Sequence, residues 1–327
     1  MIQPLRFEPL YRERVWGGRG LESKLGRTLP ADAPIGESWD VVDRPEAQSV
    51  VTSGEFRGLT LREVLRRNSD EVMGPGYDPG RAFPILVKWL DCRERLSLQV
   101  HPPATVASEL DGEPKTENWY IADAEPGAAL IAGLKAGVTR ERFEAALGEE
   151  ALEEFVHRFE VGRGDSIFVP SGRIHAIDGG NLILEIQQNS DTTYRVYDWG
   201  RVGLDGKKRT LHIEESLACI DFNDIEPEPV RASGEDCILA DCVEFRIRKM
   251  HLGPGKADLV FPAGQTASLV HVAEGEVESR DGETALRRGD TVLLPRASEH
   301  AFVAGAPAVV LVTDRFHSCA AGRIPAQ

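Results

Sequence analysis

Short apolar stretches, separated by segments that contain glycine and proline, recur along the whole chain. Five of them have the length and the β-branched or aliphatic composition of strands: residues 83–90, 96–100, 166–169, 182–186 and 291–294. The 32 glycines and 20 prolines lie between such runs, as is typical of turns that join many strands. The pattern predicts a mainly β protein.

Two segments have helical patterns instead. Residues 61–67 follow Thr60 and residues 139–158 open with Thr139, and threonine is a favourable residue at a helix N-cap. A full capping box is not expected in the second segment, because Arg142 occupies the position where an acidic side chain would have to stand. We predict that residues of about 139–160 form a helical insertion between strands.

An internal repeat connects two distant parts of the chain. Residues 163–176 read RGDSIFVPSGRIHA and residues 288–301 read RGDTVLLPRASEHA, so Gly, Asp, Pro, His and Ala recur at the same offsets. Gly-Asp favours a tight turn into an apolar strand, and proline ends the hydrogen-bonded ladder of that strand. The repeat resembles the second motif of the cupin superfamily, whose members are small jelly-roll barrels. This resemblance implies two cupin-like jelly-roll barrels.

A stretch rich in proline, glycine and acidic residues, 227–236, predicts the boundary between the two barrels. We expect residues 1–230, with N-terminal strands and the helical insertion, to form the domain that carries the chemistry. Residues 237–327 would then form a degenerate C-terminal barrel. His271 and His300 of this barrel have no Gln-x-His or Lys-Thr-Glu motif beside them, so we expect them to be structural.

Charge and cysteine content exclude several classes of protein. The chain of 327 residues has 38 Lys and Arg against 53 Asp and Glu, and its net charge of −15 disfavours broad binding to nucleic acid or to an anionic membrane. No apolar run approaches the roughly 20 residues of a spanning helix, and residues 1–18 carry too many charges for a secretory signal. The 5 cysteines form no CxxC pair, which is typical of a reducing compartment. We therefore expect a cytoplasmic protein, with a monomer as the default.

Candidate metal ligands lie at strand ends. Alternation along an extended strand places Ser97, Gln99 and His101 on one face and the apolar residues between them on the other. Glu117 follows in a second polar segment, and His175 comes from the repeated turn. Two imidazoles, one carboxylate and one amide oxygen suit Zn²⁺ or another first-row divalent ion. On spacing alone, hydrogen-bonded structural histidines are the alternative.

Other charged residues are expected to lie near this set. Lys88 stands within the apolar run ILVKWL, where burying an ammonium is costly unless it faces a polar cavity. In the run 181–199, Glu185 and Asp191 have the same parity, and Arg195 shares it if the strand continues. These residues line the same cavity, or else they form the solvated face of an amphipathic strand.

Several strings, in order along the chain, make a more specific comparison possible: FPILVKWLD (83–91), LSLQVHP (96–102), KTENWY (115–120), VPSGRIHAI (169–177) and LEIQQNSDTTYRVYDWGR (184–201). Upstream of them stand VWGG (15–18) and IGESWDV (35–41). Together these motifs resemble the type I mannose-6-phosphate isomerases in their short bacterial form. The resemblance covers about residues 5–220.

The resemblance implies an enzyme that interconverts mannose 6-phosphate and fructose 6-phosphate with one zinc ion. It implies four metal ligands: Gln99, His101, Glu117 and His175. It implies that six polar side chains surround them in the active site: Lys88, Ser97, Lys115, Glu185, Asp191 and Arg195. Arg201 stands where the family often has a basic residue, and it is expected to contact the phosphate.

The expected reaction moves a carbonyl between C1 and C2 through a cis-enediol. Glu185 is the first choice for the base and Lys115 the second, and Arg195 can fork onto phosphate oxygens. Two alternatives are a non-catalytic sugar-binding cupin and a different metal-dependent cupin enzyme. The presence of Glu185 and Lys115 argues against the first. The mixed ligand set fits redox-silent zinc better than the metal of an oxygenase, which argues against the second.

Overall fold

The computed structural model describes residues 2–30, 32–147 and 152–316. Strands dominate and helices are few, as the sequence predicts. The strands are β1 (Leu5–Arg6), β2 (Leu10–Gly18), β3 (Ile35–Val41), β4 (Asp43–Arg44), β5 (Ala47–Gln48), β6 (Ile85–Cys92), β7 (Leu98–Val100), β8 (Glu117–Ala124), β9 (Ala129–Leu134), β10 (Val156–Glu160), β11 (Ser166–Val169), β12 (His175–Ile177), β13 (Asn181–Gln188), β14 (Tyr194–Tyr197), β15 (Cys237–Asp241), β16 (Arg246–Leu252), β17 (Leu259–Phe261), β18 (Ser268–Glu274), β19 (Glu276–Ser279), β20 (Ala285–Arg287), β21 (Thr291–Leu294), β22 (His300–Val303) and β23 (Ala308–Asp314). The helices are α1 (Gly20–Leu25), α2 (Leu61–Val72), α3 (Arg140–Ala146) and α4 (Ile213–Cys219), with short 3₁₀ helices at Ala107–Leu110 and Leu152–Glu154.

The chain divides into two compact units, each built from separate segments. The first unit contains Met1–Leu10, Trp39–Val87 and Ser233–Gln327, and the second contains Tyr11–Ser38 and Lys88–Ala232. The last transition falls within the predicted boundary at 227–236. The N-terminal segments that we assigned to the 1–230 domain group partly with the C-terminal strands instead. Pairing of β1 with β21 accounts for this, because the N-terminal strand completes the ladder of a strand near the other end of the chain.

The strands of the second unit belong to two sheets. One is antiparallel and has the order β10-β9-β12-β7-β14, and the other has the order β11-β8-β13-β6-β3-β2, in which β3 and β6 belong to this unit only in part. An apolar cluster draws side chains from both sheets, including Trp16, Trp119, Leu130 and Ile183. A second cluster joins Leu98 and Val100 of β7 to helices α3 and α4. Since apolar residues of β7 pack outward against these helices, alternation turns the polar residues between them inward.

The first unit has a six-stranded sheet, β1-β21-β18-β23-β16-β15, and a four-stranded sheet, β17-β22-β19-β20. Side chains from both sheets, such as Val270, Val292 and Phe302, form its core. His271 is fully buried, and both of its ring nitrogens are hydrogen-bonded. Nδ1 lies 3.0 Å from the hydroxyl of Thr291, and Nε2 lies 3.0 Å from the hydroxyl of Thr313. These contacts support a structural role for His271. Two facing sheets in each unit are consistent with the jelly-roll expectation.

The repeated motif adopts the same local structure at both of its sites. Gly164 and Gly289 have φ angles of +91° and +95°, the left-handed region where glycine is favoured. Each glycine precedes a strand, β11 or β21, and the histidine of each copy opens the next strand, β12 or β22. The predicted turn, strand and re-entry are confirmed in both copies.

The first predicted helix is confirmed as α2, in which Thr60 and Glu63 form a full capping box. The structure agrees with the predicted helix over 139–158 at Arg140–Ala146 and in the 3₁₀ helix at Leu152–Glu154, but not at the end of the segment, and residues 148–151 lie outside the described residues. Thr139 caps only the short α3, and Val156–Glu160 is a strand that pairs with β9. Backbone pairing with β9 therefore overrides the local helical pattern, and His157 lies on that strand rather than on a helix.

No helix within the described residues is long and apolar enough to cross a membrane. The cysteines that the structure describes are all free thiols: Cys92, Cys219, Cys237 and Cys242. Cys319 lies outside the described residues.

Candidate active site

A cavity of about 610 Å³ opens in the second unit. Residues of β2, β6, β7, β13 and β14 contribute to its walls. Seven of the predicted site residues line it: Lys88, Ser97, Gln99, Lys115, Glu185, Asp191 and Arg195. Trp16 forms part of the wall as well. The structure thus brings together side chains from positions more than a hundred residues apart.

A buried cluster in the same unit consists of His101, Glu117 and His175. Among the described residues, these three side chains form the group whose ligand atoms lie close enough together to share a metal ion. His101 Nε2 lies 3.5 Å from Glu117 Oε2, and His175 Nε2 lies 3.6 Å from Glu117 Oε1. Two ligands of a tetrahedral zinc ion, each about 2.1 Å from the metal, are separated by roughly 3.4 Å. The observed spacing therefore fits a shared ion.

Hydrogen bonds on the far side of each imidazole fix its orientation. His101 Nδ1 donates to the Thr192 carbonyl at 2.9 Å, and His175 Nδ1 donates to the Arg173 carbonyl at 2.8 Å. These bonds leave each Nε2 unprotonated and directed toward Glu117. A metal-binding histidine commonly has such a hydrogen bond behind it.

Burial keeps these imidazoles neutral. It lowers the pKa of His101 to about 3, with Lys115 adding to the effect, and it also lowers the pKa of His175. Burial alone would raise the pKa of Glu117, but Lys115 and the two imidazoles outweigh it and hold that pKa well below its usual range. Neutral imidazoles beside an ionised carboxylate are the protonation states that a metal ion requires of its ligands.

Gln99 adjoins the cluster. It pairs with His175 across β7 and β12, and its carboxamide Nε2 lies 3.3 Å from His175 Nε2. The two ends of a carboxamide are similar in size, so rotating the group by 180° would present the oxygen at this place. Ser97 Oγ donates to the other end of the amide at 3.4 Å.

The donor set fits a divalent metal ion. Both oxygens of Glu117 and the Nε2 of His101 are buried without a hydrogen bond among the described residues. Buried polar atoms are costly when they are unsatisfied, and here they converge on one point. Two nitrogens, a carboxylate and an amide match the ligand types that zinc accepts, with room in the adjacent cavity for a further oxygen ligand.

Glu185 lies in the cavity between two donors. Trp119 Nε1 donates to its Oε1 at 2.9 Å, and Lys88 Nζ lies 3.4 Å from its Oε2. Lys88 and Glu185 are each only 4% exposed, which rules out the solvated strand face that the sequence left open. Burial, followed by the charge of Glu117, raises the pKa of Glu185 even though Lys88 acts against both.

Lys115 is a second buried ammonium in the site. Its Nζ lies 3.3 Å from Glu117 Oε2. Burial would lower the pKa of Lys115, but Glu117, Glu185 and Asp191 outweigh burial and raise it. Lys115 is therefore charged at neutral pH. Asp191, at the mouth of the cavity, lies 3.9 Å from Lys88 Nζ.

The structure does not bring Arg201 into the cavity. Trp199 and Gly200 have φ angles of +57° and +71°, and this turn directs Arg201 into a separate surface pocket, where it binds Asp198. Arg209 lines the cavity beside Arg195 instead. Sequence reasoning missed Arg209, although the basic run KKR at 207–209 in an acidic chain was an available signal.

Comparison with known proteins identifies the family. A family model, "Phosphomannose isomerase type I, catalytic domain", matches residues 5–136. The mannose-6-phosphate isomerase ManA of Bacillus subtilis is 38% identical over 303 residues, which span 90% of this chain and 93% of that protein. The chain belongs to the type I mannose-6-phosphate isomerase family. A mannose-6-phosphate isomerase of Streptococcus mutans is 33% identical to this isomerase over 90% of its chain and 93% of the relative.

The fold agrees with this assignment. A crystal structure of the mannose 6-phosphate isomerase from Bacillus subtilis superimposes on this isomerase with a TM-score of 0.83 and 29% identity. The superposition covers 95% of this chain and 99% of that structure. The sequence-based recognition of the family is confirmed.

Proposed function

We propose that this isomerase interconverts mannose 6-phosphate and fructose 6-phosphate through a cis-enediol, with one zinc ion bound by Gln99, His101, Glu117 and His175. The observation that carries the proposal is the position of a buried carboxylate, Glu185, in the cavity next to this donor set. When bound, the ion would act as a Lewis acid that polarises a substrate oxygen. We expect the enzyme to work in the cytoplasm as a single chain.

Glu185 is the proposed base. It would take the proton from C2 of the open-chain aldose, and the C–H electron pair would form the C1=C2 bond while O1 takes up a proton from water in the cavity and becomes a hydroxyl. The O2 proton then passes to water, its electron pair forms the C2 carbonyl, and the C1=C2 electron pair takes the proton back from Glu185 at C1. The raised pKa of Glu185 suits a group that must both accept and donate this proton.

Lysine side chains stabilise charge around this transfer. Lys115 is buried and charged beside Glu117, so its ammonium is available to negative charge that develops on O1 and O2. Lys88 holds Oε2 of Glu185 while Trp119 holds Oε1, and the two contacts fix the plane of the carboxylate. Fixing this plane favours transfer between two adjacent carbons.

Arg195 is the proposed phosphate ligand. It lines the cavity, and its Nε is buried without a hydrogen bond among the described residues. The planar guanidinium can donate two parallel hydrogen bonds to phosphate oxygens. These hydrogen bonds are stronger in a partly buried site than in water. Ser97 and Asp191 line the same cavity, and we assign them to the sugar hydroxyls.

A coupled assay tests the proposal. Mannose 6-phosphate is supplied, and the fructose 6-phosphate formed is measured with and without a chelator. We expect turnover that the chelator abolishes and that added Zn²⁺ restores. Absence of fructose 6-phosphate formation by the zinc-loaded protein would reject this substrate pair, and turnover that no chelator affects would reject the role of the metal.

A further inference from the structure

The residues that follow β14 form a second strip of the cavity wall. Arg195 Nη1 donates to the Thr210 carbonyl at 2.7 Å, and the backbone N–H of Arg195 donates to His212 Nδ1 at 3.1 Å. The His212 N–H donates in return to the Arg195 carbonyl at 2.8 Å. These three bonds hold the segment 209–212 alongside Arg195. Arg209 is thereby placed in the same cavity.

Two arginines, Arg195 and Arg209, line this part of the cavity. Asp198 is shared by two arginines: Arg209 Nε lies 2.7 Å from Oδ2, and Arg201 Nη2 lies 2.9 Å from Oδ1. Arg209 and Asp205 line the cavity with Arg195, whereas Arg201 lies in the separate surface pocket. Arg195 and Arg209 repel each other, and a bound anion would relieve this repulsion. Burial, followed by the charge of Arg209, lowers the pKa of Arg195, which indicates that the two cations lie close together.

Both cavity arginines have unused hydrogen-bond donors. Arg209 commits Nε and Nη2 to Asp198, so that its Nη1 has no partner among the described residues. Arg195 commits Nη1 to Thr210, and its Nε is buried without one. The hydrogen bonds to Asp198 fix the plane of Arg209 in advance, which lowers the entropy lost when it binds a ligand.

We propose that Arg209, positioned by Asp198, is the second cation of the phosphate site and closes with Arg195 on the phosphate of the substrate. The role assigned from the family pattern to Arg201 passes to Arg209, because Arg201 faces a different pocket. This inference rests on the proposed function for the identity of the phosphate ester. The chemistry that it requires is a dianionic phosphate with two guanidinium partners.

Kinetics of single variants test the assignment. We expect Arg209→Gln to raise KM for mannose 6-phosphate at least tenfold, to change kcat less than threefold and to leave bound metal unchanged, because one charged hydrogen-bonding partner is lost. Arg201→Gln should raise KM less than threefold. Asp198→Asn, which weakens the support of Arg209, should raise KM about threefold without changing kcat. An Arg209→Gln enzyme with KM within twofold of the wild type, or a larger effect of Arg201→Gln, would overturn the proposal.

Binding of inorganic phosphate separates this inference from the proposed reaction. Calorimetry on the zinc-loaded protein should show phosphate affinity falling about tenfold in Arg209→Gln and staying unchanged in Arg280→Gln, a matched control at an exposed arginine that pairs with Asp258. Equal phosphate affinity in the wild type and in Arg209→Gln would overturn the assignment of Arg209 to the phosphate site, even if the enzyme isomerises the sugar. If Arg209→Gln does not fold, Arg209→Lys carries the test. Lysine keeps the positive charge but cannot donate two parallel hydrogen bonds as a guanidinium does, so KM should still rise.

Discussion

Replacing Glu185 with glutamine is the sharpest perturbation of the proposed chemistry. Glutamine keeps the shape of the side chain and can still accept the hydrogen bond from Trp119 Nε1, which is 2.9 Å long in the wild type. It cannot accept the proton from carbon. General acid–base catalysis contributes about 10²- to 10⁴-fold. We therefore expect kcat to fall by about 10³-fold, or about 4 kcal/mol of transition-state stabilisation.

The assay measures kcat, KM and metal content in the same preparation. KM and bound zinc should change less than threefold, because Glu185 is outside the proposed ligand set. Glu22→Gln provides a control, since Glu22 pairs with Arg19 on the surface of the same unit. Its kcat should equal that of the wild type.

The pH profile gives an independent readout. A base must be deprotonated, so wild-type kcat/KM should decline as the pH falls through the pKa of Glu185, and because that pKa is raised, the decline should begin at a higher pH than an ordinary glutamate would give. The residual activity of Glu185→Gln should not show this decline at low pH. A zinc-loaded Glu185→Gln enzyme that keeps a third of wild-type kcat would refute the role of Glu185. If Lys115→Met then abolished turnover, the base would be Lys115.

Two further variants test the phosphate site and the first unit. Arg195→Ala should raise KM for mannose 6-phosphate about 30-fold or more with metal content unchanged, given the strength of guanidinium–phosphate hydrogen bonds; an unchanged KM would remove Arg195 from phosphate binding. Burial lowers the pKa of His271 to about 3, so the folded protein excludes a proton that the unfolded chain binds near pH 6.5. This costs about 2 kcal/mol of stability between pH 7 and pH 5. Denaturant unfolding of His271→Gln should show a weaker loss over that range, and an identical loss would contradict the reasoning.

Much of the candidate site could be predicted because its candidate ligands follow local rules. Strand alternation placed Gln99 and His101 on one face, and the repeated turn placed His175 at the start of a strand. The energetic cost of burying Lys88 predicted a polar cavity around it, and Lys88 does line that cavity. Each inference needed only the geometry of one strand or one turn.

Features that depend on distant partners were harder to predict. The pairing of β1 with β21 joins residues almost three hundred positions apart, and no local pattern encodes it. Val156–Glu160 forms a strand because its backbone pairs with β9, although a 3₁₀ helix at Leu152–Glu154 comes just before it. The separate pocket of Arg201 follows a turn with positive φ angles at Trp199 and Gly200, which sequence alone did not reveal.

The central claim is that Gln99, His101, Glu117 and His175 together hold a catalytic divalent ion. Metal analysis of extensively dialysed protein, made alongside turnover of the same sample, tests it most directly. We predict one zinc ion per chain in the active wild type, and loss of both zinc and turnover in His101→Ala. Full turnover by metal-free protein, or a His101→Ala variant that still binds one zinc ion and isomerises mannose 6-phosphate at the wild-type rate, would contradict the claim.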